Sequence, residues 1–150
     1  MKVTFWGTRG SIPVPGPDTI RYGGNTPCVT IEDGPGLLIL DAGTGIRRLG
    51  EALAARRHEG PINILLSHAH SDHLHGLPFF APIHNPAQKV EIYGPGGGEL
   101  PLREVLFRQM TPPLWPAYYI EAARRLSVTQ ITADEFRTDY FMVRPTQLRH

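Results

Sequence analysis

The chain has 150 residues, 41% of them hydrophobic and 19% charged, which suits one folded domain and excludes global disorder. A formal net charge of +1 gives no argument for a nucleic-acid or membrane surface, and no apolar run is long enough to span a bilayer. The single cysteine, Cys28, excludes an internal disulfide and fits a reduced cytoplasm, as does an N-terminus without the basic-then-apolar pattern of a signal peptide.

Val3 to Trp6 reads as a first strand stopped by Gly7. Residues 7–25 are dense in Gly, Pro, Thr and Ser and read as one long loop, a length that is uncommon and often functional in a small domain. Cys28–Ile31 and Leu37–Leu40 are apolar and β-branched, with turn chemistry at Asp33-Gly34-Pro35-Gly36 between them, which predicts a hairpin. From Thr44 to Arg57, Ile46, Leu49, Leu53 and Ala54 recur at helical spacing, and Gly60-Pro61 ends the helix. Ile62–Leu66 has the length of a buried strand, and Val90–Tyr93 is another. Pro101–Gln109 suits a helix with Pro at its start. Thr111–Pro116 reads as irregular, Tyr118–Leu126 as a short helix and Phe141–Val143 as a last strand. This order predicts an α/β layered fold.

The stretch that carries chemistry is Ser67-His68-Ala69-His70-Ser71-Asp72-His73, directly after a buried strand, where α/β folds place their sites. His68 and His70 are two apart, so an extended segment aims both imidazoles to one side. The chain then turns, and Asp72 and His73 approach from a second direction. Imidazole and carboxylate donors in this number suit zinc, iron or manganese. Two metals are expected rather than one, because the adjacent side chains of Asp72 and His73 should diverge too much to close a tight tetrahedron with both upstream histidines. With seven histidines in the chain, chance placement of H-x-H-x-D-H is on the order of one in a thousand at this composition.

That motif resembles the signature of the metallo-β-lactamase superfamily. Further segments are similar to its phosphodiesterase and tRNase Z-like branch: Phe5-Trp6-Gly7-Thr8-Arg9-Gly10-Ser11, Arg21-Tyr22-Gly23-Gly24-Asn25-Thr26, Leu40-Asp41-Ala42-Gly43-Thr44-Gly45, Asp72-His73-Leu74-His75-Gly76-Leu77-Pro78-Phe79-Phe80 and Ile92-Tyr93-Gly94-Pro95. The resemblance implies an αβ/βα sandwich with a pair of divalent ions, Zn2+ first and Mn2+ or Fe as alternatives. By it, His68 and His70 bind the first metal, Asp72 and His73 the second, and His150 completes the first site. It also implies a second αβ half, with a bridging Asp and a final His beyond His150, so these residues are expected to be the N-terminal half. The implied activity is hydrolysis of a small-molecule or nucleotide phosphodiester by a metal-bridging hydroxide, with Asp72 both ligating metal and orienting the water. A homodimer is also implied, whereas a nucleic-acid partner stays open and no membrane partner is expected. Two alternatives stand beside this: a thioester or lactam hydrolase on the same fold, and a non-catalytic metal-binding module.

Other residues have two readings each. Asp41 could accept a hydrogen bond from a ligand histidine or cap the following helix. The loop Gly7–Ser11 could approach a phosphate or serve only as a turn. His75 is expected beside the ligands and His84 at the surface. Trp115, Tyr118 and Tyr119 could line a cleft but are more often core, and Cys28 reads as a small buried hydrophobe.

Overall fold

The computed structural model describes residues 1–96 and 98–148. Six strands form one sheet in chain order: β1 (Lys2–Gly7), β2 (Cys28–Asp33), β3 (Gly36–Leu40), β4 (Ile62–Leu65), β5 (Val90–Gly94) and β6 (Ser127–Gln130). The first three run antiparallel, and β3 through β6 run parallel. The connections carry α1 (Ile46–Ala55), α2 (Leu102–Gln109) and α3 (Tyr118–Arg125). A separate pair, β7 (Phe136–Arg137) and β8 (Met142–Val143), ends the described chain.

The pairing register sorts the sheet into two faces, because side chains opposite one another share a face. Thr30, Ile39, Ile64, Ile92 and Val128 form one row across neighbouring strands. Ile39 and Ile64 are fully buried there and Ile92 nearly so. The helices cover this face. In α1, Ile46, Leu49 and Leu53 point inward while Arg47, Arg48 and Glu51 face water, the spacing of an amphipathic helix. Leu102 and Leu106 of α2 and Tyr119, Ala122 and Ala123 of α3 complete the same core.

The opposite face is only partly covered. Phe136 stacks on Tyr93 with ring centroids 5.2 Å apart, and the segment holding Tyr140 and Phe141 lies over Gly36. Towards the β1 edge the row is open: Val3 is 48% and Phe5 68% exposed. Among the described residues, no helix is long and apolar enough to cross a membrane.

The expected elements are present with small changes of boundary. The first helix begins at Ile46 rather than Thr44, because the Thr44 hydroxyl and amide are engaged by Thr26. The C-terminal strand is the two-residue β8, paired with β7 outside the main sheet. Strand β6 was not anticipated: Ser127-Val128-Thr129-Gln130 has one apolar residue and lies at a largely exposed edge, where polar residues are tolerated.

Removing part of the central row tests this layering. Ile64→Ala should cost roughly 2–5 kcal/mol of unfolding free energy in urea; a loss under about 1 kcal/mol would contradict burial at the sheet–helix interface.

Candidate metal centre

Strands β3 and β4 are parallel neighbours, with Leu40 opposite Leu65. The residues that follow them, Asp41 and Ser67, therefore emerge side by side at the carboxyl end of the sheet. The Asp41 amide continues the pairing by donating to the Leu65 carbonyl at 2.8 Å. Asp41 has a left-handed backbone, with φ of 62°, and its carboxylate turns towards the motif loop. There Oδ1 accepts from the Ser67 amide at 2.8 Å and from the Ser67 hydroxyl at 2.9 Å. Oδ2 lies 2.9 Å from Nδ1 of His73.

These contacts fix protons. An ionised carboxylate only accepts, so His73 carries a hydrogen on Nδ1, directed at Asp41. The Ser67 hydroxyl has one hydrogen, which goes to Asp41. Its oxygen is 3.0 Å from Nδ1 of His68 and 3.3 Å from Nδ1 of His73. One carboxylate and one hydroxyl thereby engage Nδ1 of His73 and of His68, which leaves Nε2 of each ring on the side away from these partners. Asp41 thus acts on a histidine of the motif, and Gly45 is the residue that precedes α1.

The motif side chains converge. The His68 ring centroid is 4.4 Å from that of His70 and 4.1 Å from that of His73. Residues Ser71–His73 form a single 3-10 turn, which brings Asp72 Oδ2 to 3.5 Å from His73 Nε2. The tight turn thus keeps these two adjacent side chains close to each other. Burial alone would raise the Asp72 pKa, but the Ser11 amide at 2.8 Å and the nearby His73 more than offset it, and the carboxyl is held below its ordinary value.

Backbone contacts lock the loop against the Asp41 turn. Ala42 donates to the His73 carbonyl and Gly76 donates to the Ala42 carbonyl. The approach is so close that a Cβ on Gly43 would meet the Asp72 carbonyl oxygen at 2.5 Å, and one on Gly76 would meet the Gly43 oxygen at 2.0 Å. From the other side, Gln109 of α2 donates its side-chain amide to the Leu74 carbonyl at 2.7 Å.

Among the described residues, no three or more His, Cys, Asp or Glu side chains form a group arranged to hold a metal ion. The imidazoles are packed ring against ring. The donor set nevertheless fits a divalent cation by its chemistry: three imidazoles, two of them engaged at Nδ1 by Asp41 and Ser67, and one carboxylate. His150, expected as a further ligand, lies outside the described residues. His75 is exposed, and His84 is half-buried rather than at the surface, its Nε2 2.8 Å from the Pro78 carbonyl and its ring against Tyr119. Trp115, Tyr118 and Tyr119 join Phe79 in an aromatic cluster beside α3. Cys28 is fully buried, and burial pushes its thiol pKa far up. Sequence reasoning missed Ser67 and Gln109, and it left Ser11 as an undecided turn residue. Ser67 is at least visible as the hydroxyl next to the first motif histidine.

Comparison with known proteins agrees with this architecture. In solved structures the chain is similar to a diphosphatase from the PhnP family, at 20% identity and a TM-score of 0.62, covering 91% of this chain and 53% of that one. It is similar to the short form of human tRNase Z, at 25% identity and a TM-score of 0.53, covering 89% and 48%. The metallo-beta-lactamase fold protein YhfI from Bacillus subtilis shares 17% identity with a TM-score of 0.60, covering 93% and 50%. The chain thus spans about half the length of these structures. No curated protein matches it. Residues 21–137 match the model of the metallo-beta-lactamase superfamily, and the chain belongs to that superfamily.

Proposed function

We propose that this chain is the motif-bearing half of a metal-dependent phosphodiesterase. His68, His70, Asp72 and His73 would hold a pair of divalent ions, zinc first and manganese or iron as alternatives, with His150 as a further ligand. The observation that carries this reading is the pair of contacts by which Asp41 and Ser67 engage Nδ1 of two motif histidines. Ligand imidazoles are oriented in this way by a carboxylate or hydroxyl on the opposite nitrogen. A purely structural loop needs no such arrangement.

Bound divalent ions would supply an acidified water and neutralise charge developing on a phosphoryl group. The chain's own residues perform the positioning. Asp41 holds His73 in plane and, through Ser67, holds His68. Asp72, whose carboxylate accepts from the Ser11 amide and is held below its ordinary pKa, would orient the water that such ions supply. The likeness to a diphosphatase and to tRNase Z supports a phosphorus centre, in a small-molecule or nucleotide phosphodiester, over a thioester or lactam. The open row at Val3 and Phe5, together with the half-length match, supports a second αβ layer packed on that face.

Two measurements test this reading. Asp41→Ala should weaken zinc binding by about 10- to 100-fold in competition with a chromophoric chelator, with the far-ultraviolet circular dichroism unchanged; unaltered affinity would remove Asp41 from the centre. In assays with zinc or manganese, the protein should hydrolyse bis-p-nitrophenyl phosphate, lose that activity to a chelator, and lose about 100-fold or more in kcat on Asp72→Asn. Turnover of thioester or lactam substrates without phosphodiester turnover would overturn the choice of substrate.

A further inference from the structure

Strand β1 is antiparallel to β2, which is antiparallel to β3, so β1 ends at the same edge of the sheet as Asp41. The long loop that follows β1 therefore starts beside the candidate metal centre. Thr8 and Arg9 anchor it by donating to the Asn25 carbonyl at 3.0 and 2.9 Å. At Ser11 the chain makes an abrupt turn. Ile12 donates to the carbonyl of Gly10, only two residues back, at 2.9 Å, and Ser11 between them has φ of 69°. A three-residue turn with positive φ at its centre is the rare and strained form of the γ-turn. Glycine would adopt it without penalty, yet the residue is serine.

The turn has one long-range result: it directs the Ser11 amide at Oδ2 of Asp72, 61 residues away, at 2.8 Å. The same oxygen is the one 3.5 Å from His73 Nε2. Non-glycine residues with positive φ among the described residues are Ser11, Asp41 and Arg57. Two of these three make hydrogen bonds to motif residues through the groups their backbones turn, whereas Arg57 lies just past the end of α1. Backbone strain tends to gather at sites where the surrounding structure holds it for a purpose.

We infer that Ser11 is a positioning residue whose main-chain amide, aimed by the strained turn, fixes the Asp72 carboxylate for metal binding. The inference rests on the metal-centre reading above. It assigns the work to the backbone conformation and none to the serine hydroxyl. Substitutions that separate these two properties test it. Thr keeps the hydroxyl but, being β-branched, resists positive φ; Gly and Asn lack the hydroxyl but accept it.

Metal-free protein would be titrated with cobalt(II) and followed by its visible absorption. Ser11→Gly and Ser11→Asn should bind cobalt within about threefold of the unaltered protein, and Ser11→Thr should bind about tenfold more weakly, in the range seen when ligand-orienting partners are removed. The urea midpoint of the metal-free protein should not follow this order. A Thr variant that binds like the unaltered protein overturns the inference, as do equal losses in Gly and Thr. A second measurement needs no variant: the Ser11 amide should exchange with solvent at least about tenfold more slowly than that of Gly10 in the same exposed loop, and equal exchange overturns it. If the unaltered protein takes up no cobalt, the metal-centre reading falls and this inference with it. If it binds cobalt but the series is flat, only the role of Ser11 falls.

Discussion

A single carboxylate at the end of β3 organises the candidate centre. Asp41 accepts two hydrogen bonds from Ser67 and one from His73, and so ties the ends of two adjacent parallel strands to the turn that carries the motif. Parallel strands in an α/β fold end together, and a residue following one strand lies within reach of the residue following the next. The motif loop can be short because the sheet has already placed its anchor. Remove Asp41 and Nδ1 of His73 loses its carboxylate partner, while Ser67, which lies against Nδ1 of His68, loses the acceptor that holds its hydroxyl.

The surroundings make this contact hard to deform. Gly43 and Gly76 allow two backbones to approach at distances that any side chain would prevent. Thr26 and Thr44 exchange hydrogen bonds between the Asn25–Thr26 corner and the Asp41 turn, amide to hydroxyl in both directions. Below them, the fully buried row of Ile39 and Ile64 and the buried face of α1 form a close-packed support. Sequence, packing and chemistry therefore meet at one place: apolar strands end, glycines admit close backbones, and polar groups are aimed outward from the rigid sheet edge.

Much of this was legible from the residues. The apolar runs of β2 to β5 and the helical spacing of α1 follow from burial on known periodicities, and the motif stands out because imidazole and carboxylate donors are rare at that density. Asp41 had two readings in the sequence, and only the register of β3 against β4 decides between them. Strand β6 was hidden because its residues are polar and its stability comes from pairing with β5. Ser11 and Ser67 act through contacts that leave no periodic trace: one uses its backbone amide, the other a hydroxyl whose direction is set by a residue 26 positions earlier. His150 lies outside the described residues, and its role rests on the resemblance of the motifs.

The most direct test of this account is the tautomeric state of the motif histidines in the metal-free protein. Long-range 1H–15N correlation spectra, recorded above the imidazole pKa, distinguish a ring hydrogen on Nδ1 from one on Nε2. The account predicts the Nδ1–H form for both His68 and His73, with Nε2 bare in each ring. Hydrogen on Nε2 of His73 would mean that Asp41 does not orient that ring, and the centre would have to be explained without it.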